Sequence, residues 1–332
     1  MAYKPNMEDI KKLRTMTGAG LADVKKALTE AEGDFNKAME VIREKGQAIA
    51  AKRSDRETSN GCVLVKAADG FAAIVALKCE TDFVANGADY IKLTQDILDA
   101  AVAAKAKSID EVKELTIADG TKVQDAVVAR SGITGEKMEL DGYNFIEGEN
   151  VEVYDHMGKH TLCTMVQTNK PAVEQAHAIA MQVAAMNPVA LDEASVPQSV
   201  KDEELKVAIE KTKEEQVQKA VEAAIKKAGI NPAHVDSEDH MKSNMEKGWI
   251  SAEDVEKAKQ IIATVSEEKK ANLPEQMIQN IAKGRMNKFY KESCLLNQEF
   301  IQDSKLSVTD YLKAADKELT VVDFKRFTLR AD

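Results

Sequence analysis

The chain has 332 residues, of which 44% are hydrophobic and 5% aromatic, and its formal net charge at pH 7 is −10. This length predicts two or three domains, and the apolar content is sufficient for globular cores. The negative charge argues against direct binding of nucleic acid or of an anionic membrane. No signal peptide, transit segment or membrane-spanning run is recognisable, so we expect a cytoplasmic protein.

Residues 6–46 show three short amphipathic helical patterns. Asn6 is a candidate N-cap for the first, with Asp9 three residues further on. The third places Phe35 and Ile42 at the ends of one apolar stripe. Three such stripes predict a small three-helix bundle, and the polar residues at 47–60 are expected to form a linker.

Residues 61–104 follow the order strand, turn, strand, turn, helix, with Asp69-Gly70 as a hairpin turn. The same order recurs at 150–187, although few residues are identical. This recurrence predicts two related α+β halves. Residues 295–301 and 320–329 have strand patterns and are expected to complete the second sheet.

Residues 196–292 are mostly long, polar helix. Ser251 with Asp254 forms a candidate capping box for a return helix, and Pro274 suits the start of another. The pattern predicts an antiparallel, coiled-coil-like helical hairpin. Its thin apolar seam either closes the hairpin or pairs two chains in a homodimer, and both interpretations stay open. The seam includes Leu205, Ile209, Val217, Val221 and Ile225.

The most distinctive segment is Thr81-Asp82-Phe83-Val84-Ala85, here called the Phe83 turn. It lies between an apolar strand pattern at 72–77 and a helical pattern that begins near Asp89. Turns on a rigid scaffold often present functional side chains. The Phe83 ring has no group for covalent chemistry, which favours insertion into a partner protein. Burial of the ring as core beneath the turn is the alternative interpretation.

Three sets of motifs occur in an order that identifies a family. The first spans Leu13-Arg14-x-x-Thr17-Gly18-Ala19-Gly20 and continues to Gly33-Asp34, the second is the Phe83 turn, and the third is Gly284-Arg285-Met286-x-Lys288-Phe289. In this order they resemble the bacterial elongation factor Ts family, over about Leu13 to Leu312.

This resemblance implies an α+β fold with four parts. An N-terminal three-helix, ubiquitin-associated-like bundle at 1–56 precedes a duplicated α+β core. The first core subdomain is expected at 57–146, and the second is discontinuous, at 147–195 and 293–332. The helical, coiled-coil-like hairpin at 196–292 is inserted in this second half.

The resemblance also implies a partner and a set of contact residues. The partner is elongation factor Tu, in its GDP-bound and nucleotide-free forms, and the activity is guanine-nucleotide exchange. The Phe83 turn (Thr81, Asp82, Phe83, Val84) would approach the Mg²⁺ site of the partner. The other contact positions implied for the partner are Arg14, Leu21, Thr134, Gly135 and His156.

The family implies no covalent chemistry, no cofactor and no metal site in the chain itself. A second hypothesis is a non-catalytic protein-binding scaffold with a ubiquitin-associated-like head. A third, a hydrolase or transferase, has little support, because Cys79 has no evident His partner. The His234–His240 segment is also without recognised ligand spacing and is expected to be a solvated loop.

Overall fold

A computed structural model of the chain describes residues 3–329, which form a mixed α+β protein, as predicted. The chain divides into two compact units. One comprises the residues up to Leu191 together with those from Glu299, and the other comprises Asp192–Gln298. The four-part division implied by the resemblance is finer than this and stays a prediction.

The first unit contains helices and strands in alternating groups. Its helices are α1 (Met7–Thr17), α2 (Leu21–Glu30), α3 (Phe35–Lys52), α4 (Asp82–Ala85), α5 (Ala88–Ala104), α6 (Ile109–Glu114), α7 (Val123–Thr134), α8 (Val173–Met186) and, late in the chain, α13 (Val308–Ala315). Its strands are β1 (Asn60–Ala68), β2 (Phe71–Cys79), β3 (Met138–Glu147), β4 (Val151–Asp155), β5 (Leu162–Thr168), β6 (Glu299–Phe300), β7 (Asp303–Ser307) and β8 (Val321–Thr328).

Helices α1, α2 and α3, here called the bundle, pack around a common apolar cluster. Leu13, Val24 and Leu28 are fully buried in it. The Asn6 side chain caps α1 as predicted, accepting the N–H of Asp9 at 2.8 Å. Helix α3 continues to Lys52, into the segment expected to be a linker, because the alanines after residue 47 favour helix. A likeness to ubiquitin-associated domains stays a prediction.

The first sheet has the order β1-β2-β3 and is antiparallel throughout. Asp69 and Gly70 form the predicted hairpin turn, and both have positive φ. One face of the sheet packs on α5, and the other packs on the second sheet. Strand β2 is therefore apolar on both faces, which explains its continuous apolar run.

The second sheet has the order β4-β5-β8 and lies against helix α8. Strand β8 joins it as predicted, but the prediction for residues 295–301 was wrong. There, β6 pairs with β7 in a separate two-stranded sheet. The Gln182 amide of α8 explains the difference, because it bonds the carbonyl O of Glu299 at 3.0 Å and the N–H of Ile301 at 2.8 Å.

The second unit is helical. It contains α9 (Gln198–Lys227), α10 (Glu238–Glu246), α11 (Ala252–Ala271) and α12 (Glu275–Ser293). Helix α9 contacts both α11 and α12, and Val217 and Ile225 of the predicted seam are buried within the unit. The Ser251 capping box that opens α11 is confirmed.

The segment from His234 to His240, expected to be a loop, is partly helical. Asp239 and His240 lie on α10, because Ser237 caps that helix by accepting the N–H of His240 at 3.2 Å. The His240 ring bonds the Asp236 carboxylate at 2.5 Å. Within residues 3–329, no group of three or more His, Cys, Asp or Glu is arranged to hold a metal ion.

Candidate functional site

The Phe83 turn begins where β2 ends. Thr81 has an extended backbone and caps α4, because its Oγ1 accepts the N–H of Val84 at 3.4 Å. At the other end of this short helix, the N–H of Asn86 bonds the carbonyl O of Asp82 at 3.0 Å. The segment therefore has a defined, hydrogen-bonded shape.

Phe83 projects from this turn into solvent, with 87% of its surface exposed. Ala85 is buried and Val84 is half-buried against the core of the first sheet, so two apolar residues hold the back of the turn. Full burial of a Phe side chain stabilises a folded protein by about 1.5–3 kcal/mol. Phe83 is exposed, so it does not stabilise the fold in this way. The alternative interpretation of Phe83 as core is therefore wrong.

Thr134 and Gly135 end helix α7. Gly135 has the left-handed conformation (φ 73°) that ends many helices, and its N–H bonds the carbonyl O of Ser131 at 2.9 Å. Ile133 packs against the apolar cluster of the bundle. Glu136, the next residue after Gly135, reaches the Phe83 turn and accepts the hydroxyl of Thr81 at 2.6 Å. The end of α7 thus contacts both the bundle and the turn.

Arg14 and Leu21 lie on the bundle. Arg14 is exposed in the last turn of α1, and Leu21 is the first residue of α2, with 53% of its surface exposed. Met16 is also exposed, so apolar surface surrounds the junction of the two helices. This surface is available to a partner protein.

His156 follows β4 in the second sheet, at the start of a short 3₁₀ turn. Its Nδ1 lies 3.2 Å from the Tyr154 hydroxyl, and the two rings meet edge to face at 5.7 Å. The neighbouring Met157 is left-handed (φ 58°) and exposed. His156 therefore belongs to a different surface element from the Phe83 turn.

Two of the predicted segments, the Phe83 turn and Thr134-Gly135, lie close together in the structure. The Phe83 turn and Thr134-Gly135 meet through Glu136, and Ile133 connects them to the bundle that carries Arg14 and Leu21. Glu136 and Glu80, whose carboxylate accepts the N–H of Lys137, are not among the residues predicted from the sequence. These contacts join residues 55 and 57 positions apart in the chain, so no local periodicity reveals them.

Cys79 lies directly below the turn, but its thiol is unsuited to nucleophilic chemistry. It is fully buried, and its Sγ donates to the carbonyl O of Thr81 at 3.2 Å. Burial raises the pKa of Cys79 to about 11. The thiol is therefore protonated at neutral pH. The groups that the Phe83 turn presents to a partner are the exposed Phe83 ring and the exposed Asp82 carboxyl, on a backbone of defined shape.

Comparison with known proteins gives consistent matches over nearly the whole chain. A family model described as "Elongation factor TS" matches residues 80–232 and 218–331. Elongation factor Ts of Bacteroides fragilis is 69% identical over 327 residues, which cover 98% of this chain and 99% of that protein. The Parabacteroides distasonis protein is 67% identical over 326 residues, with the same coverage, and the Porphyromonas gingivalis protein is 44% identical over 327 residues, 98% of both chains.

Across residues 3–329, none of the helices combines the length and the apolar character needed to cross a bilayer.

Proposed function

The chain belongs to the elongation factor Ts family, and on this premise we propose that it is a guanine-nucleotide exchange factor for elongation factor Tu. It binds the GDP-bound partner, disturbs the partner's Mg²⁺ site and promotes release of GDP, after which GTP binds. The factor itself performs no covalent chemistry.

The observation that carries this proposal is the exposed ring of Phe83 on a turn of defined shape. With 87% of its surface in water, the ring is free to enter a partner pocket. Aromatic residues dominate many binding hot spots, and removal of one commonly costs about 2 kcal/mol or more. Asp82, beside it on the turn, brings a negative charge toward the bound phosphate and Mg²⁺.

Exchange of this kind is a linkage between two binding events. The factor and GDP each weaken the binding of the other to the shared partner, and the coupling is reciprocal. A factor that prefers the state with a disturbed Mg²⁺ site shifts the partner toward that state. Every ~1.4 kcal/mol of this preference is worth about tenfold in affinity. One ring therefore supplies only part of a large acceleration.

The remaining preference comes, in this proposal, from contacts outside the turn. Arg14 and Leu21 on the bundle contact the nucleotide-binding domain of the partner, as do Thr134 and Gly135. His156 contacts its third domain. These assignments and the four-part domain division follow the family resemblance. A homodimer through the helical hairpin rests instead on the apolar seam of residues 196–292, for which closure of the hairpin is the alternative interpretation.

The test is stopped-flow release of a fluorescent GDP from purified elongation factor Tu, with and without this protein, at several concentrations of free Mg²⁺. We expect release to become faster and to rise to a plateau as the protein is added. Binding without acceleration would instead favour the scaffold hypothesis, which predicts binding that is indifferent to GDP.

A further inference from the structure

Two glutamates join the ends of β2 and α7 in a reciprocal arrangement. The Glu136 carboxylate accepts the N–H of Thr81 at 3.1 Å and the Thr81 hydroxyl at 2.6 Å. The Glu80 carboxylate accepts the N–H of Lys137 at 2.7 Å. Each acid thus binds the backbone next to the other acid, and this fixes the two segments against each other.

Glu80 and Lys137 also bond the segment that follows the bundle, at residues 53–56. Arg53, immediately after α3, donates to both carboxylate oxygens of Glu80, at 2.8 and 2.9 Å. The Lys137 Nζ donates to the carbonyl O atoms of Ser54 and Arg56, at 3.0 and 3.1 Å. The exit of the bundle and the base of the Phe83 turn therefore share one anchor.

Glu136 also orients the group that begins α4. A Thr hydroxyl has one proton to donate and lone pairs to accept with. Thr81 donates its proton to Glu136, which leaves the lone pairs of Oγ1 for the N–H of Val84. The carboxylate thus sets the cap, and the cap starts the helical turn that carries Phe83.

Building on the proposed exchange function, we propose that Glu136 is a positioning residue that acts through Thr81 on Phe83. It holds the turn in the conformation that the ring needs before the partner arrives. A preorganised side chain loses less conformational freedom when it binds. This preorganisation increases the rate of nucleotide release more than the affinity of initial binding, because the bundle and the second sheet supply other contacts to the partner.

The experiment compares Glu136→Ala and Glu136→Gln in the GDP-release assay with elongation factor Tu. We expect the plateau rate to fall roughly tenfold for Glu136→Ala, comparable to the cost of ordering one backbone position. Glu136→Gln keeps one acceptor oxygen and should lose less. The half-saturating concentration should stay close to that of the unsubstituted protein. A control is Glu114→Gln, an exposed acid on α6 that pairs with Lys122.

A double substitution separates positioning from general destabilisation. Once Phe83 is Ala, there is no ring to position, so adding Glu136→Ala should lower the plateau no further. Amide hydrogen exchange at Val84 should become faster in both Glu136 variants, because the cap is loosened. Additive losses in the double variant would show that Glu136 acts independently of Phe83.

The outcomes also distinguish this inference from the function on which it rests. If the unsubstituted protein does not accelerate GDP release, the exchange function itself fails. If it does, and both Glu136 variants keep the full plateau despite faster exchange at Val84, only the positioning role fails.

Discussion

Gly46 on α3 and Gly132 on α7 lie in direct backbone contact. A Cβ at Gly132 would stand 2.6 Å from the Cα of Gly46, and a Cβ at Gly46 would stand 2.8 Å from the carbonyl O of Val128. Both obstacles are backbone atoms, which cannot move aside as a flexible side chain can. The contact joins the bundle to the helix that ends at Thr134.

Replacing Gly132 by Ala should therefore separate the two helices. Overpacking of this kind costs about 1–3 kcal/mol, and urea unfolding measures it, with hydrogen exchange assigning the loss to the first unit. Gly284→Ala on α12 is the control, because nothing lies within 4 Å of the added Cβ. That change should stabilise the protein by about 0.5–1 kcal/mol. Equal destabilisation by both changes would contradict the importance of the contact.

Phe83→Ala should slow nucleotide release much more than it affects folding. The ring is exposed, so its removal leaves no cavity, whereas the partner loses a contact worth about 2 kcal/mol or roughly 30-fold in rate. Stopped-flow GDP release and urea unfolding measure the two effects. Val173→Ala removes another exposed apolar side chain, with 71% of its surface free, and should leave release unchanged. Normal release by Phe83→Ala would remove Phe83 from the mechanism.

We expect Glu80 to make the stability of the first unit sensitive to acid. The N–H of Lys137, with further help from Arg53, lowers the pKa of Glu80. A folded pKa below the unfolded value of about 4.3 means that ionised Glu80 stabilises the fold above that pH. This stabilisation disappears as the pH falls through the folded pKa.

The corresponding measurement is the urea midpoint at a series of pH values from neutral to acidic. Glu80→Gln should be less stable than the unsubstituted protein at neutral pH and should lose less stability below about pH 4.3. Identical pH profiles for the two proteins would show that Glu80 does not contribute to the acid response.

Cysteine labelling should report on unfolding of the first unit. Burial raises the pKa of Cys62 to about 12, and it also raises the pKa of Cys163. Only the thiolate reacts readily, so iodoacetamide should label these residues slowly until urea opens the fold. Thr264→Cys, on the exposed surface of α11, provides a rapidly labelled reference. Native labelling of Cys62 at the rate of that reference would contradict this expectation.

Local patterns predicted the starts of several helices and the first β-hairpin, because the causes of these features are local. Asn6 caps its own helix, and Asp69-Gly70 closes its own hairpin. The strand patterns did not show that residues 299–300 pair outside the second sheet, because this segment is held by Gln182, a residue far away in the chain that bonds Glu299 and Ile301. The turn itself was recognisable from sequence, whereas Glu136, which holds it, depends on a contact that only folding creates.

Trp249 is the only tryptophan in the chain, and it lies in the second unit between α10 and α11. It is 61% exposed, with the His234 ring 5.7 Å away and the Lys247 ammonium 4.9 Å from the centre of its ring. Intrinsic tryptophan emission therefore reports on the surroundings of Trp249 in the helical unit, while the first unit, which carries the Phe83 turn, contributes no tryptophan emission. Tryptophan signals from a partner that binds the turn can be followed without a background from the surface that it touches.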